Sequence, residues 1–253
     1  MNHESAQGTL VVTGASRGIG AAIARLGAKH GYAVAVNFST GGREADKIVA
    51  DIRAGGGRAM AVHADISREE AIVNLFQSAE RELGPIQGLV NNAGITAGFA
   101  RVEDVSAEAI EKVFAVNVTG AILCAREAVK RMSTRRGGAG GAIVNISSRA
   151  AHTGAAGEWV HYAASKGAID SFTIGLAREV AREGIRVNAV APGLTDTDLH
   201  ATNGEPGRLQ RLMGTIPMAR AGMPQEIAEA VLWLLSPAAS YVTGAVLAVG
   251  GGR

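Results

Sequence analysis

Thr9-Leu10-Val11-Val12-Thr13-Gly14-Ala15-Ser16-Arg17-Gly18-Ile19-Gly20-Ala21-Ala22-Ile23-Ala24-Arg25-Leu26 decides how the rest of this chain is organised. Its first residues form an apolar, β-branched run, which predicts a buried strand. Ile19, Ile23 and Leu26 then recur at helical spacing, and Gly31 ends that helix. Between strand and helix lies a turn of spacing G-x-x-x-G-x-G. Its glycines allow a tight turn, close approach of backbone to a phosphate, and close helix–strand packing. The helix N-terminus would offer free N–H groups and a positive dipole end to a pyrophosphate. Strand, glycine turn and helix in that order are the context a dinucleotide site needs. Taken alone, the same spacing also fits an ordinary glycine-rich turn.

The alternation continues outward from this unit. Further strands are predicted at 33–38, 58–64, 88–91, 142–147, 185–190 and 245–249. Between them, a polar helix runs to about Arg53 and stops at Gly55-Gly56-Gly57. Ile72, Leu75, Phe76, Ala79 and Leu83 mark one face of the next helix, which Gly84-Pro85 ends. Ser106 is a candidate N-cap for a long helix over 106–134, broken by Arg135-Arg136-Gly137-Gly138. Helices are also predicted at 160–182 and 224–235. Apolar strands alternating with helices predict an α/β fold, a parallel sheet covered on both faces. No linker divides 1–253, so a single domain is expected. The irregular segment 194–217 contains Asn203-Gly204 and Pro206-Gly207 and reads as a substrate lid.

Composition narrows the functional classes. Hydrophobic residues make up 47% of the 253 and aromatics only 4%, so the core must be built from Ala, Val, Ile and Leu. A formal charge of +2, with no basic stripe interleaved with aromatics, gives no warrant for nucleic-acid binding. Cys124 is the single cysteine, which excludes an intrachain disulfide, and its apolar neighbours make it a buried small hydrophobe. No apolar run precedes Leu10 and none is long enough to span a bilayer, so a soluble cytoplasmic protein is expected, with no membrane partner. His63, His152, His161 and His200 show no metal-ligand spacing, and no metal site is predicted.

Two further patterns carry chemistry. Tyr162 and Lys166 are one helical turn apart on one face. A free phenol has a pKa near ~10, too high for efficient acid–base work near neutrality. A nearby ammonium favours the phenolate. The second pattern is an absence. An NAD-specific site needs a carboxylate about 20 residues beyond the glycine turn to bind the ribose 2′-hydroxyl. Here the strand ends Val36-Asn37-Phe38-Ser39-Thr40, with no acid. Arg17 can add a charge-assisted hydrogen bond to a 2′-phosphate, and Asn37, Ser39 and Thr40 neutral ones. NADP(H) is therefore the expected cofactor, with NAD(H) possible.

The sequence resembles the short-chain dehydrogenase/reductase family over 9–252. The resemblance rests on Thr13-Gly14-x-x-x-Gly18-x-Gly20, Asn91-Asn92-Ala93-Gly94, Asn117, Ser147-Ser148, Tyr162-x-x-x-Lys166 and Pro192-Gly193, in the family's order. It implies a single-domain Rossmann fold with a seven-stranded parallel sheet, and an oxidoreductase acting on a small carbonyl or alcohol. Tyr162 is implied as acid–base, and Lys166 as its acidifier and a ligand of the nicotinamide ribose. Ser148 would polarise the substrate carbonyl, with Ser147 as its rival. Asn117 would hold a relay water or be a satisfied core amide. Gly14, Ser16, Arg17, Gly18, Ile19, Gly20, Asn37, Phe38, Ser39 and Thr40 would contact the cofactor, with Asn92, Ala93 and Gly94 on its adenosine side. Asp65 would accept from the adenine amino group or else start the next helix. Pro192 and Gly193 would brace the nicotinamide, with Thr195 and Thr197 as donors; Thr195 departs from the aliphatic residue common there.

A cofactor-binding regulator or structural subunit of the same fold is the competing reading. The substrate is open. Thr96, Ala97, His152, Trp159 and the lid through Leu199 are pocket candidates, with Trp159 either stacking on a ring or filling the wall. Val118, Ile122 and Val129, and Ala163, Gly167, Ile174 and Ala181, widen the apolar faces of two long helices beyond one stripe. With the family resemblance, that surplus predicts a homotetramer.

Overall fold

The apolar run at the start of the chain forms β1 (Thr9–Val12), buried at every residue. In the computed structural model, which describes residues 7–197 and 207–253, the further strands are β2 (Ala33–Phe38), β3 (Ala59–His63), β4 (Ile86–Asn91), β5 (Gly141–Ile146), β6 (Ile185–Pro192) and β7 (Val246–Val249). They form one seven-stranded sheet in the order β3-β2-β1-β4-β5-β6-β7. Every neighbouring pair is parallel. The described helices are α1 (Gly18–Lys29), α2 (Gly42–Ala54), α3 (Glu69–Leu83), α4 (Ala107–Phe114), α5 (Ala121–Met132), α6 (Ala150–Thr153), α7 (Val160–Val180), α8 (Arg208–Leu212) and α9 (Pro224–Leu235).

Strand alternation explains the two layers of core. Leu10 and Val12 join Val34, Val36, Val90, Val144 and Val190 in a cluster with Ile23 of α1 and Val231 of α9. Val11 belongs to the opposite cluster, with Ala35, Leu89, Ile143 and Val187 against Phe76 of α3, Ala128 of α5 and Ala177 of α7. Burial on both faces is why these strands read as continuous apolar runs rather than alternating ones. Cys124 lies wholly inside the second layer. Burial pushes its thiol up to about 12, so it stays a protonated hydrophobe.

Strand order reverses beside β1, where β2 and β3 lie to one side and β4 to β7 to the other. Connections leave β1 and β4 in opposite directions there, which opens a crevice at the carboxyl ends of the strands.

The expected helix over 106–134 is present but interrupted. Ser106 caps it as predicted, its Oγ accepting from Ala109 N at 3.2 Å. Between α4 and α5, however, Ala115–Gly120 forms a π-helical turn. Such turns locally abandon the α ladder and recur at functional places. Asn117 sits inside it.

A buried polar chain ties the sheet to α5 and α7. Asn91 Nδ2 donates to Asn145 Oδ1 at 2.9 Å and to Ala121 O at 3.0 Å. Asn145 Nδ2 donates to Thr173 Oγ1 at 2.9 Å, and Thr173 Oγ1 donates to Ile169 O at 2.8 Å. No described helix is long and apolar enough to cross a membrane. Leu199 and the centre of the segment 194–217 lie outside the described residues.

Candidate active site

The crevice beside β1 and β4 is a cleft of about 580 Å³. Its first wall is the glycine turn, welded to the end of β4. Asn92 Nδ2 donates to Thr13 O and to Gly14 O, both at 2.9 Å. Thr13 Oγ1 accepts from Asn92 N at 3.0 Å and from Ala93 N at 3.1 Å. Gly14 takes a φ of 61°, and a Cβ there would lie 2.8 Å from Ala93 Cα. A Cβ on Gly20 would lie 2.5 Å from both Asn92 Nδ2 and Gly14 O. Both positions exclude any side chain. Arg17 is the N-cap of α1, and no side chain caps that terminus. The first N–H groups of α1 thus lack a side-chain acceptor where Ser16, Arg17, Gly18, Ile19 and Gly20 line the cleft. This cradle fits a pyrophosphate.

Asn37, Phe38, Ser39 and Thr40 line the adjoining end. One expectation fails here. The Asn37 amide is not free to bind a 2′-phosphate, because Nδ2 donates to Ala64 O at 3.0 Å and Val62 O at 3.3 Å. Its Oδ1 accepts from Gly14 N at 3.2 Å. Asn37 therefore fixes the turn. Ser16 Oγ donates to Thr40 O at 3.3 Å and closes the same corner. Arg17, Ser39 and Thr40 stay exposed. Sequence reading searched for an acid only at the strand end and missed Glu44, whose Oε2 lies 3.1 Å from where a Gly41 Cβ would stand. Asp65 borders the cleft, and its Oδ1 accepts from Ser67 N at 2.9 Å and Ser67 Oγ at 2.8 Å in the turn that precedes α3.

The catalytic candidates converge opposite the turn. Ser148, Tyr162 and Lys166 all line the cleft. The Ser148 hydroxyl is hydrogen-bonded to the half-buried phenol of Tyr162. Ser147, its rival, is buried and turned to Asp170 and to Lys166 O. Burial pushes the Tyr162 phenol up, while the Ser148 hydrogen bond and the positive charge of Arg208 pull it down. Lys166 is buried, with Nζ 2.7 Å from Ile146 O and 5.7 Å from the Tyr162 ring centroid. Lys166 thus stands beside the phenol, while the groups that draw the phenol's pKa down here are Ser148 and Arg208.

Asn117 stands one layer behind the cleft. Its Nδ2 donates to Ile95 O at 2.9 Å and Ser165 Oγ at 3.0 Å, and its Oδ1 accepts from Ile95 N at 2.9 Å. Both donors of its amide are thereby used, as in the core-amide alternative. Asn117 anchors the Gly94–Ile95 loop against Lys166: a Cβ on Gly94 would lie 3.3 Å from Lys166 Nζ.

Pro192, Gly193, Thr195 and Thr197 also line the cleft, as do Ala93 and Gly94 from the loop after β4. Thr195 Oγ1 is drawn to Gly193 O at 3.3 Å. The Thr197 methyl lies 3.5 Å from where a Gly18 Cβ would stand. Trp159 is 3% exposed, so it is wall and not a stacking plate. Phe99 packs tilted against it at 4.5 Å, and Tyr162 edge-on at 5.9 Å. Thr96, Ala97 and His152 do not line the cleft. Thr96 is fully buried, and His152 points to Asp170 at 4.0 Å. Arg149, Glu158, Arg208 and Arg253 do line it, unforeseen from sequence, since none belongs to a motif. Among the described residues, no group of three or more His, Cys, Asp or Glu is placed to hold a metal ion.

Lys166 gives this site a stability signature. Burial pushes its ammonium from the ordinary 10.5 down to about 8, with Asp170 opposing. The cost of burying the charge is fully present below about 8, where both folded and unfolded chains are protonated. Between about 8 and 10.5 the unfolded chain binds more protons, so stability rises with pH there. The unfolding free energy of the parent, relative to Lys166→Met, should climb across that window in urea melts. A constant difference would contradict the assignment.

The family model described as enoyl-(acyl carrier protein) reductase matches residues 14–253. Uncharacterized oxidoreductase YgfF of Escherichia coli (strain K12) is 51% identical over 243 residues, covering 96% of this chain and 98% of that one. Cis-4-hydroxycyclohexanecarboxylate dehydrogenase of Sinomonas cyclohexanicum is 40% identical over 253 residues, covering 100% and 98%. A dehydrogenase/reductase from Sinorhizobium meliloti 1021 superposes with a TM-score of 0.91 at 37% identity, covering 98% of this chain and 95% of that one. A short chain dehydrogenase from Burkholderia cenocepacia J2315, solved in complex with NADP, gives 0.89 at 32% identity, covering 97% of each chain. A likeness that spans the whole sheet and is not confined to the glycine turn makes this chain a member of the short-chain dehydrogenase/reductase family.

Proposed function

We propose that the protein transfers a hydride between NADP(H) and a small carbonyl or alcohol, with Tyr162 as acid–base. The carrying observation is that the Tyr162 phenol, hydrogen-bonded by Ser148, shares one cleft with the uncapped glycine turn. Bound nicotinamide supplies or accepts the hydride. The chain's own residues do the rest. The N–H groups at the start of α1 hold the pyrophosphate. Pro192 and Gly193 brace the nicotinamide end. Ser148 donates to the substrate oxygen and polarises the carbonyl. Tyr162 gives its proton to that oxygen during reduction and takes it back during oxidation. Lys166 reaches the nicotinamide ribose, and Asn117 holds the loop that confines it.

Tyr162→Phe keeps the ring against Trp159 and removes the proton. Turnover should fall by at least ~10²-fold with nucleotide binding retained. Near-normal turnover in that variant would end the proposal.

A preference for NADP(H) is part of this reading. It is supported by the absence of an acid at the end of β2 and by exposed Arg17, Ser39 and Thr40 at that corner. The relative from Burkholderia cenocepacia, solved in complex with NADP, supports the same reading. Glu44 is the opposing charge, near the position of a Gly41 Cβ. The kcat/KM for NADPH should exceed that for NADH, and Arg17→Ala should narrow the gap. A parent enzyme that favours NADH would refute the preference.

We also read 194–217 as a lid and the protein as a homotetramer. Thr195, Thr197 and Arg208 all border the cleft. Ile110, Ile122 and Ile174 of α4, α5 and α7 are exposed at 37%, 38% and 39%, an apolar face suited to a second copy. Ligands should slow hydrogen exchange in 194–217. Light scattering should give a mass well above the 25.8 kDa of one chain, which a monomer would contradict.

A further inference from the structure

Arg149 and Arg253 line the cleft, and neither nucleotide binding nor proton transfer as described above uses them. Both are half-buried. They reach the cleft by different routes. Arg149 follows Ser148 directly, and its N–H donates to Pro192 O at 2.9 Å, the last residue of β6. Arg253 is brought back from β7 by two left-handed glycines, Gly251 at a φ of 62° and Gly252 at 91°. Its N–H donates to Gly250 O at 3.2 Å and closes that turn.

The two arginines are tied to each other. Arg149 Nε donates to Arg253 O at 2.7 Å. Gly250 makes the approach possible, since a Cβ there would lie 3.1 Å from Arg149 Cγ and 3.2 Å from Arg253 O. That tie uses one N–H donor and fixes the direction of the Arg149 fork. Among the described residues, the other donors of Arg149 and the whole guanidinium of Arg253 meet no hydrogen-bond or ion-pair partner. Nearby acids do not consume them. Glu158 is held by Arg208 at 2.6 Å. Asp170 senses the charge of Arg149 without pairing with it, and faces Ser147 and His152.

A partly desolvated cation costs free energy unless an anion meets it, and an aliphatic side chain would line the same wall without that cost. The planar fork of a guanidinium matches the two oxygens of a carboxylate. We propose that Arg149 and Arg253 recognise a carboxylate on the substrate, so that the preferred substrates are oxo acids and hydroxy acids and not neutral carbonyls and alcohols. The proposal rests on the carbonyl/alcohol reading of this cleft and narrows it. Consecutive residues would then hold the two ends of the substrate, Ser148 the reacting oxygen and Arg149 the carboxylate. The nucleotide is the other source of negative charge. Its pyrophosphate is matched by the turn after β1, whereas Arg149 follows β5 and Arg253 follows β7, on the far side of β4.

Two measurements test the proposal, one of them without turnover. In the first, 4-oxopentanoate, 5-oxohexanoate and 4-formylbenzoate are each compared with the corresponding primary carboxamide in NADPH-dependent reduction. The parent should favour the acid by about 10- to 100-fold in kcat/KM. Arg149→Gln and Arg253→Gln should each lower that ratio several-fold, with kcat/KM for the amide unchanged. Arg253→Gln breaks no described side-chain bond, so it keeps the test decisive should Arg149→Gln fold poorly. In the second, calorimetry compares pentanoate with pentanamide, and benzoate with benzamide, on full-length protein saturated with NADP⁺. The acids should bind more tightly to the parent and lose that advantage in both variants, while NADP⁺ affinity stays the same. Acids that bind and react no better than amides, an acid preference that both variants retain, or variants that weaken NADP⁺ instead would overturn the proposal. Carboxylate binding that depends on the two arginines, with no reduction of any carbonyl, would leave the anion site standing and sink the oxidoreductase reading.

Discussion

The side-chain amide of Asn92 is the contact on which the cleft depends. One NH₂ group donates to two consecutive carbonyls of the glycine turn, at 2.9 Å each. Those carbonyls lie between β1 and α1 and belong to no strand ladder. A buried carbonyl without a partner costs about 1–3 kcal/mol, so two of them would make the turn unaffordable without Asn92. The amide fits only because Gly20 has no side chain. Asn37 adds the third tie, accepting from Gly14 N at 3.2 Å. With the turn held from β2 and β4 at once, α1 starts at a fixed place, and its uncapped N–H groups are ready for an anion.

The opposite wall is held by the same kind of force. Asn91, Asn145 and Thr173 link β4, β5, α5 and α7 through buried hydrogen bonds. Asn117 ties the π-helical turn to Ser165 of α7, one residue before Lys166. Ring contacts around Trp159 contribute about 0.5–1.5 kcal/mol each and set the shape of the substrate side. The amide ties, costly to leave unmade, set where Tyr162 and Lys166 stand relative to the turn. Apolar burial supplies the bulk of the stability, but it is not directional; these polar ties give the site its geometry.

The fold was legible from the sequence because two-sided burial writes continuous apolar runs at each strand. Val34, Val36, Val90 and Val144 announce themselves this way. The residues of the cleft were legible because their motifs have fixed spacing. Roles that depend on tertiary partners were not. Asn37 looked like a phosphate ligand, yet Val62, Ala64 and Gly14 consume its amide. Lys166 was legible as the cation beside Tyr162, but its tie to Ile146 O was not. The π-helical turn at Ala115–Gly120 keeps helical spacing closely enough to be invisible to periodicity. Arg208 and Glu158 are fifty positions apart and meet only in three dimensions. The pair Arg208 and Arg211, at i and i+3, was the sole local sign that this segment presents a charged helical face.

The central claim is that one cleft couples hydride transfer at the nicotinamide to proton transfer at Tyr162. Transfer of deuterium from [4-²H]NADPH to a carbonyl carbon, followed by mass spectrometry across a panel of aldehydes and ketones, tests it most directly. The account predicts label on the carbinol carbon of at least one product with the parent protein, formed at least ~10²-fold more slowly with Tyr162→Phe saturated with the same nucleotide. Tight nucleotide binding with no labelled product from any carbonyl would contradict it and mark the protein as a nucleotide-binding regulator of the same fold.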